Sequence, residues 1–197
     1  MNLPTEGLHA DALATLRAWT APTPEQESLR QRYVAHLEAH ADGMTRGCYP
    51  DHVTASTLVV SADLGEVLLT LHAKARQWFQ LGGHCEDGDD TLVAAAMREA
   101  TEESGLTDLR LDPVPVHLHD HEVPFCDPRG GIHHLDVRFL AVAAPGAAHV
   151  ASAESLQLAW FPVESLPNPD LDDLVRHVLA RLAAEPGPPR PGQARRR

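Results

Sequence analysis

The chain has 197 residues, 43% of them hydrophobic, a length and apolar content that suit one domain with a real core. Its formal net charge is −12, and four arginines (Arg190, Arg195, Arg196, Arg197) stand after Pro186, so the rest of the chain is more acidic still. Such a body repels nucleic acid and acidic membranes unless a cation intervenes, and no apolar run approaches the roughly 20 residues needed to span a bilayer.

The first 45 residues read as helical. Leu8, Leu13, Leu16 and Trp19 recur at helical spacing. The chain start lacks the basic residues and apolar run of a signal peptide, so a cytoplasmic protein is expected. A second helix begins at Thr23-Pro24-Glu25, with Thr23 as N-cap and Pro24 in the first turn; Leu29, Tyr33, Val34 and Leu37 form its stripe. Gly43 and Tyr49-Pro50 close the region. Residues 1–48 are therefore taken as a helical extension, 49–185 as the main domain, and 186–197 as a disordered Pro/Arg tail.

From His52 the character changes. Val53–Val60 is rich in β-branched residues, Asp63-Leu64-Gly65 is a turn, and Glu66–Leu71 returns as a hairpin partner. Gln77–Leu81 reads as one short strand running into Gly82-Gly83. A helix follows from about Asp90 to Ser104, with Gly105 in the favoured C-terminal position. Strands are expected at Leu109–Leu111, Val114–Val123, Leu135–Ala144 and Leu158–Phe161, with a loop at 124–131 and a last helix over about Asp170–Ala184. That order predicts an α/β fold, a mixed sheet between helices.

The central helix carries the chemistry. Glu99, Glu102 and Glu103 stand at i, i+3 and i+4 and share one face. That face lies about 110° from the stripe of Leu92, Val93, Ala96, Met97 and Ala100, at the edge of the core. Glu102 and Glu103 occupy the last turn, where the helix dipole disfavours anions, and Arg98 alone cannot balance three carboxylates. From the helix alone two readings stay open: a solvated acidic helix end, or an oxygen-ligand site for a hard divalent cation. The glycine pair before it lets backbone approach a ligand closely.

Taken together, the strand, Gly82-Gly83, the acidic loop and Arg98-Glu99-Ala100-Thr101-Glu102-Glu103-Ser104-Gly105-Leu106 resemble the Nudix box, Gly-x5-Glu-x7-Arg-Glu-U-x-Glu-Glu-x-Gly-U with U aliphatic. The second half matches closely. The first half departs: with seven residues intervening before Arg98 the acid position is Asp90, which six residues then separate from Gly83, whereas five intervening residues from Gly83 give Asp89. Either alignment has one inserted residue and an Asp for the Glu.

The resemblance implies an α/β/α Nudix sandwich with the helical extension added at the N-terminus. It implies hydrolysis of a phosphoanhydride bond in a nucleoside diphosphate linked to another moiety, or in a nucleoside triphosphate. Mg²⁺ or Mn²⁺ would be held by Glu99, Glu102, Glu103 and the Gly82 carbonyl. Arg98 would orient the glutamates, and a water acidified by the metal would attack phosphorus. Glu103 and Glu154, the latter in the loop before Trp160-Phe161, are the two candidate general bases. Substrate choice would lie in the loops at 112–134 and 145–157.

Other residues carry open readings. His72, Lys74, Arg76 and Trp78 approach the glycine pair from its strand side; Lys74, Arg76, Trp78 and His84 are candidate substrate contacts, against hairpin solubility for the cations and core packing for Trp78. His117, His119 and His121 alternate on a strand and face one way, with His133 and His134 beyond the loop. They suit a transition-metal site, substrate contacts or a solvated strand face, although the tight ligand spacing of zinc motifs is missing. Cys48, Cys85 and Cys126 form no CxxC pair and no disulfide framework. The N-terminal helices are a structural addition, a cap over the cleft or a homodimer surface. A non-catalytic ligand-sensing module is the rival function. Isoprenyl diphosphate isomerisation is a third, disfavoured by the intact hydrolase-type glutamate trio.

Overall fold

The structure is a computed structural model that describes residues 6–149 and 155–184. Two helices lead the chain: α1 (Glu6–Ala18) and α2 (Pro24–Ala39). Thr23 caps α2 as expected, its Oγ1 accepting the Gln26 N–H at 3.3 Å. The strands β1 (Asp51–Val60) and β2 (Glu66–His72) form the anticipated hairpin.

The segment expected as one strand over 77–81 is divided into β3 (Trp78–Phe79) and β4 (Leu81–His84). The first pairs with β2 and the second with β1, both antiparallel, so the chain crosses from one strand to the other at Gln80. The Gln80 amide explains the break: it is buried and donates to Ser56 Oγ at 3.2 Å and to Asp136 at 3.1 Å.

After β4 come α3 (Leu92–Ser104), β5 (Leu109–Leu111), β6 (His117–Glu122), β7 (His133–Ala143), β8 (Ser155–Pro162) and α4 (Asp172–Ala184). Thr91 caps α3, and Gly105 ends it in the left-handed region, φ 68°. Among the described residues, eight strands form one curled mixed sheet. The long central pair β1 and β7 is parallel, with Asp51 opposite His133 through Val60 opposite Val142; the other pairings are antiparallel.

Alternation along β1 and β7 sorts side chains onto two faces. Val53, Ala55, Val137 and Phe139 meet α3, α1 and α2 in one cluster; Leu58, Val60 and Leu140 meet α4 in another. The result is the expected α/β/α sandwich. The N-terminal helices are wired into it. Asp11 of α1 accepts the Leu92 N–H at 2.9 Å, placing a carboxylate at the positive end of α3. Gln26 of α2 makes two bonds to one residue of β6: its Oε1 accepts from the Leu118 N–H at 2.7 Å, and its Nε2 donates to the Leu118 carbonyl at 3.0 Å. Among the described residues no helix is long and apolar enough to cross a membrane.

Candidate active site

Strand β4 and helix α3 build the site between them. An added Cβ at Gly83 would sit 2.9 Å from both Glu99 carboxylate oxygens, so the absence of a side chain is what lets that carboxylate lie on the strand. The Gly82 N–H donates to Glu103 Oε2 at 3.3 Å. Two of the three glutamates thus rest against the glycine pair. Glu102 projects outward, with 59% of its side chain exposed.

Arg98 ties the group together. Its Nε and Nη2 donate to the two oxygens of Asp89 at 3.1 and 2.9 Å, a bidentate pair. Nη2 also reaches the His84 carbonyl at 3.0 Å. Nη1 bridges Glu99 at 3.0 Å and Glu102 at 3.1 Å. The electrostatics follow from this crowding. Burial pushes the Glu99 carboxyl above its ordinary value against the pull of Arg98, and the neighbouring Glu102 and Glu86 charges add to the rise. The Arg98 guanidinium is held more firmly protonated, its bonds to Asp89 being the largest cause.

The ambiguity over the box acid is resolved by this geometry. Asp89 is buried, accepts the Glu86 N–H at 2.8 Å and anchors Arg98; Asp90 is exposed. Burial alone would raise the Asp89 carboxyl, but the bonds from Arg98 and Glu86 outweigh it and hold it below the usual range. The extra residue therefore lies between Asp89 and Arg98. Asp89→Ala should lower stability by about 1–3 kcal/mol, because it leaves a half-buried guanidinium short of two bonds. Asp90→Ala should leave the urea midpoint unchanged; the reverse order would return the anchoring role to Asp90.

The remaining candidates are placed as follows. Lys74 and Arg76 are exposed on the turn between β2 and β3, with Lys74 Nζ 5.7 Å from the Phe125 ring centroid. Trp78 packs edge-on against Phe161, centroids 4.7 Å apart, within the cluster under α4. His84 turns its ring away from Gly83's face toward His52 and His134. Glu154 lies outside the described residues, as does the Pro/Arg tail.

Sequence reasoning missed a buried polar network on the face opposite α3. Asp136 of β7 accepts from Thr54 at 3.2 Å, Ser56 at 2.8 Å, Gln80 at 3.1 Å and Arg138 Nε at 2.8 Å. Burial raises its carboxyl, but Arg138, His121 and the hydrogen bonds from Arg138 and Ser56 outweigh that and hold it below the usual carboxylate range. The signal was present: Thr54-x-Ser56 and Asp136-x-Arg138 are period-two polar pairs inside otherwise apolar strands. Arg138 passes the network to His119, Nη2 to Nδ1 at 3.0 Å. His117, His119 and His121 do face one way, with centroids 6.2 and 5.0 Å apart. His133 points to the other face and pairs with Asp120 at 2.8 Å.

Comparison with known proteins gives a consistent result. A family model described as NUDIX domain matches residues 50–182. Over 135 residues the chain is 34% identical to the 8-oxo-dGDP phosphatase NUDT18 of Homo sapiens; the match covers 64% of this chain and only 37% of that protein. Among solved structures, a NUDIX-family hydrolase from Clostridium perfringens is 25% identical, with a TM-score of 0.54, covering 66% of this chain and 97% of that one. The Ap4A hydrolase of C. elegans, solved as a binary complex, is 21% identical with a TM-score of 0.58, covering 68% and 98%, and shows the shared fold.

Proposed function

The chain belongs to the NUDIX domain family, and on that premise we propose that it is a metal-dependent pyrophosphohydrolase. Its substrate would be a nucleoside diphosphate linked to another moiety, or a nucleoside triphosphate. The observation that carries this reading is the gathering of three carboxylates beside one glycine pair: Glu99 and Glu102 share the Arg98 guanidinium, Glu99 lies on Gly83, and Glu103 accepts the Gly82 N–H. Three carboxylates and a backbone carbonyl form an oxygen-only donor set, which suits Mg²⁺ or Mn²⁺. The relative that acts on 8-oxo-dGDP supports a nucleotide substrate.

In this reading Glu99, Glu102 and Glu103 hold the cation, with the Gly82 carbonyl as a further donor. A divalent ion there acidifies an attacking water and offsets charge on the phosphate oxygens. Arg98 fixes the rotamers of Glu99 and Glu102 while Asp89 and the His84 carbonyl fix Arg98. Glu103 and Glu154 are the two candidates for receiving the proton. Lys74 and Arg76, exposed on the β2–β3 turn, are assigned to the substrate phosphates. His84 and Trp78 enter as ring contacts only where the substrate reaches past the glycine pair. Residues 49–185 are taken as the catalytic domain, with 1–48 buttressing α3.

The test is a substrate panel with Mg²⁺ and with Mn²⁺: nucleoside diphosphate sugars, dinucleoside polyphosphates, ADP-ribose, NTPs and 8-oxo-dGDP. At least one should be cleaved at a phosphoanhydride bond, and EDTA should abolish that turnover. Saturable binding of a panel member without cleavage would instead favour the ligand-sensing reading.

A further inference from the structure

The sheet face opposite α3 ends in a cluster apart from the three glutamates, and it gives the His84 ring a partner set other than the substrate. His52 of β1, His84 of β4 and His134 of β7 share that face by register: His52 is opposite His134, and Thr54, two residues on, is opposite His84. Their ring centroids lie 4.8–5.0 Å apart. Cys126, from the loop between β6 and β7, brings Sγ to 3.5 Å from His84 Nε2 and 3.4 Å from His134 Nε2. One ligand atom from each of the four residues lies within 4.8 Å of every other. We propose that His52, His84, His134 and Cys126 form a binding site for a Zn²⁺-class transition-metal ion, distinct from the hard-cation site on α3.

The distances suit that ion. Tetrahedral zinc has Zn–N bonds of about 2.0–2.1 Å and a Zn–S bond of about 2.3 Å, which places sulfur about 3.5 Å from each nitrogen. The two observed sulfur–nitrogen edges meet that requirement before any ion enters. The remaining edges, at most 4.8 Å, would have to shorten by rotation of the imidazole rings.

An independent observation comes from His52. It is 1% exposed, and its Nδ1 lies 3.4 Å from the Cys48 carbonyl. Its Nε2 is buried without a hydrogen-bond partner among the described residues. An imidazole that donates Nδ1–H to a backbone carbonyl and keeps Nε2 bare has the outer-shell arrangement of a metal-ligating histidine. A buried polar atom without a partner is costly in a native fold, and a bound cation removes that cost.

One contact opposes loading. Arg46 Nη2 lies 2.7 Å from His84 Nδ1. An ion on Nε2 moves the ring proton to Nδ1, where a guanidinium donor cannot stay. Arg46 is exposed, so it can swing into solvent at little cost. On binding, the Cys126 thiol gives its proton to solvent and the resulting thiolate takes the metal.

Four protein ligands leave no open coordination position, so the site is structural rather than hydrolytic. It would pin the β6–β7 loop to three strands at once. A thiolate and three imidazoles select zinc-like ions over Mg²⁺, so the two sites would not compete for one metal.

The experiment uses the full chain without a His tag, stripped by a chelator and titrated with Co²⁺ and then Zn²⁺. One Co²⁺ per chain should give a near-ultraviolet thiolate-to-cobalt band with the intense visible bands of tetrahedral cobalt. Zn²⁺ should displace it and raise the thermal midpoint. Cys126→Ser should abolish the near-ultraviolet band. His134→Ala should weaken binding by more than the roughly 100-fold that loss of an outer-shell partner costs. Arg46→Ala should tighten it, and Glu102→Gln should leave the cobalt spectrum intact. A natively folded wild type with no thiolate band overturns the proposal, as does a band that survives Cys126→Ser. Cobalt uptake with only a weak octahedral spectrum, lost in Glu102→Gln, assigns the ion to α3 and overturns it equally.

Discussion

Replacing Glu99, Glu102 or Glu103 singly by Gln should lower turnover roughly 100-fold or more, comparable to loss of one well-placed electrostatic group. The fold should survive each change. Gln keeps an oxygen able to accept from Arg98 or from the Gly82 amide, and it removes a charge from a crowded, partly desolvated trio. The metal-free Glu99→Gln protein should therefore unfold no earlier than wild type, since burial already works against the Glu99 charge. Mg²⁺ should raise the thermal midpoint of wild type more than that of the variant. If the trio holds a cation as proposed, its carboxylates would repel one another without it, the usual compromise between stability and activity. Steady-state kinetics with thermal melts in EDTA and in Mg²⁺ would check both halves. Wild-type turnover in all three variants would remove the glutamates from the chemistry.

Gly82→Ala should be among the most destabilising single substitutions in the chain, costing about 3 kcal/mol or more. A Cβ there would come within 2.3 Å of Ser56 Cβ, 2.5 Å of Ser56 Cα and 2.7 Å of the Ala55 carbonyl oxygen. Two of these three are backbone atoms of the central strand and cannot yield without disturbing the β1–β4 ladder. Gly82 also has φ 153°, a conformation that L side chains rarely adopt. Two nearby glycines separate the causes. Gly88 has φ 128° but nothing within 4 Å of an added Cβ, so Gly88→Ala should show backbone strain alone, about 1–3 kcal/mol. At Gly83 the collision is with the Glu99 carboxylate, a movable group, so Gly83→Ala should cost activity before stability. Denaturant unfolding of the three variants would test the order; a Gly82→Ala midpoint equal to that of Gly88→Ala would contradict the steric account.

These contrasts show what one sequence can and cannot disclose. Helical phase is local, so the shared face of Glu99, Glu102 and Glu103 and the stop at Gly105 could be read residue by residue. Strand alternation is also local, and it grouped His117, His119 and His121 correctly. Choosing between Asp89 and Asp90 needed the loop's path, because adjacent aspartates look alike until one is buried against Arg98. The histidine and cysteine cluster joins positions 52, 84, 126 and 134 through a parallel pairing and a crossover strand, and neither register is encoded in local spacing. The division at Gln80 was hidden for a similar reason: its amide partner Asp136 lies 56 residues away.

The double bond from Gln26 to Leu118 has a consequence beyond holding α2 in place. The outer side of a sheet is where a foreign strand can add itself, the first step of runaway self-association. One glutamine amide occupies the donor and the acceptor of Leu118 in the way an incoming chain would have to. The leading helices thereby act as a guard rail for the sheet. Shortening the chain to residues 49–185 would expose β6 to its own copies, so the cost of that truncation would first show as lost solubility.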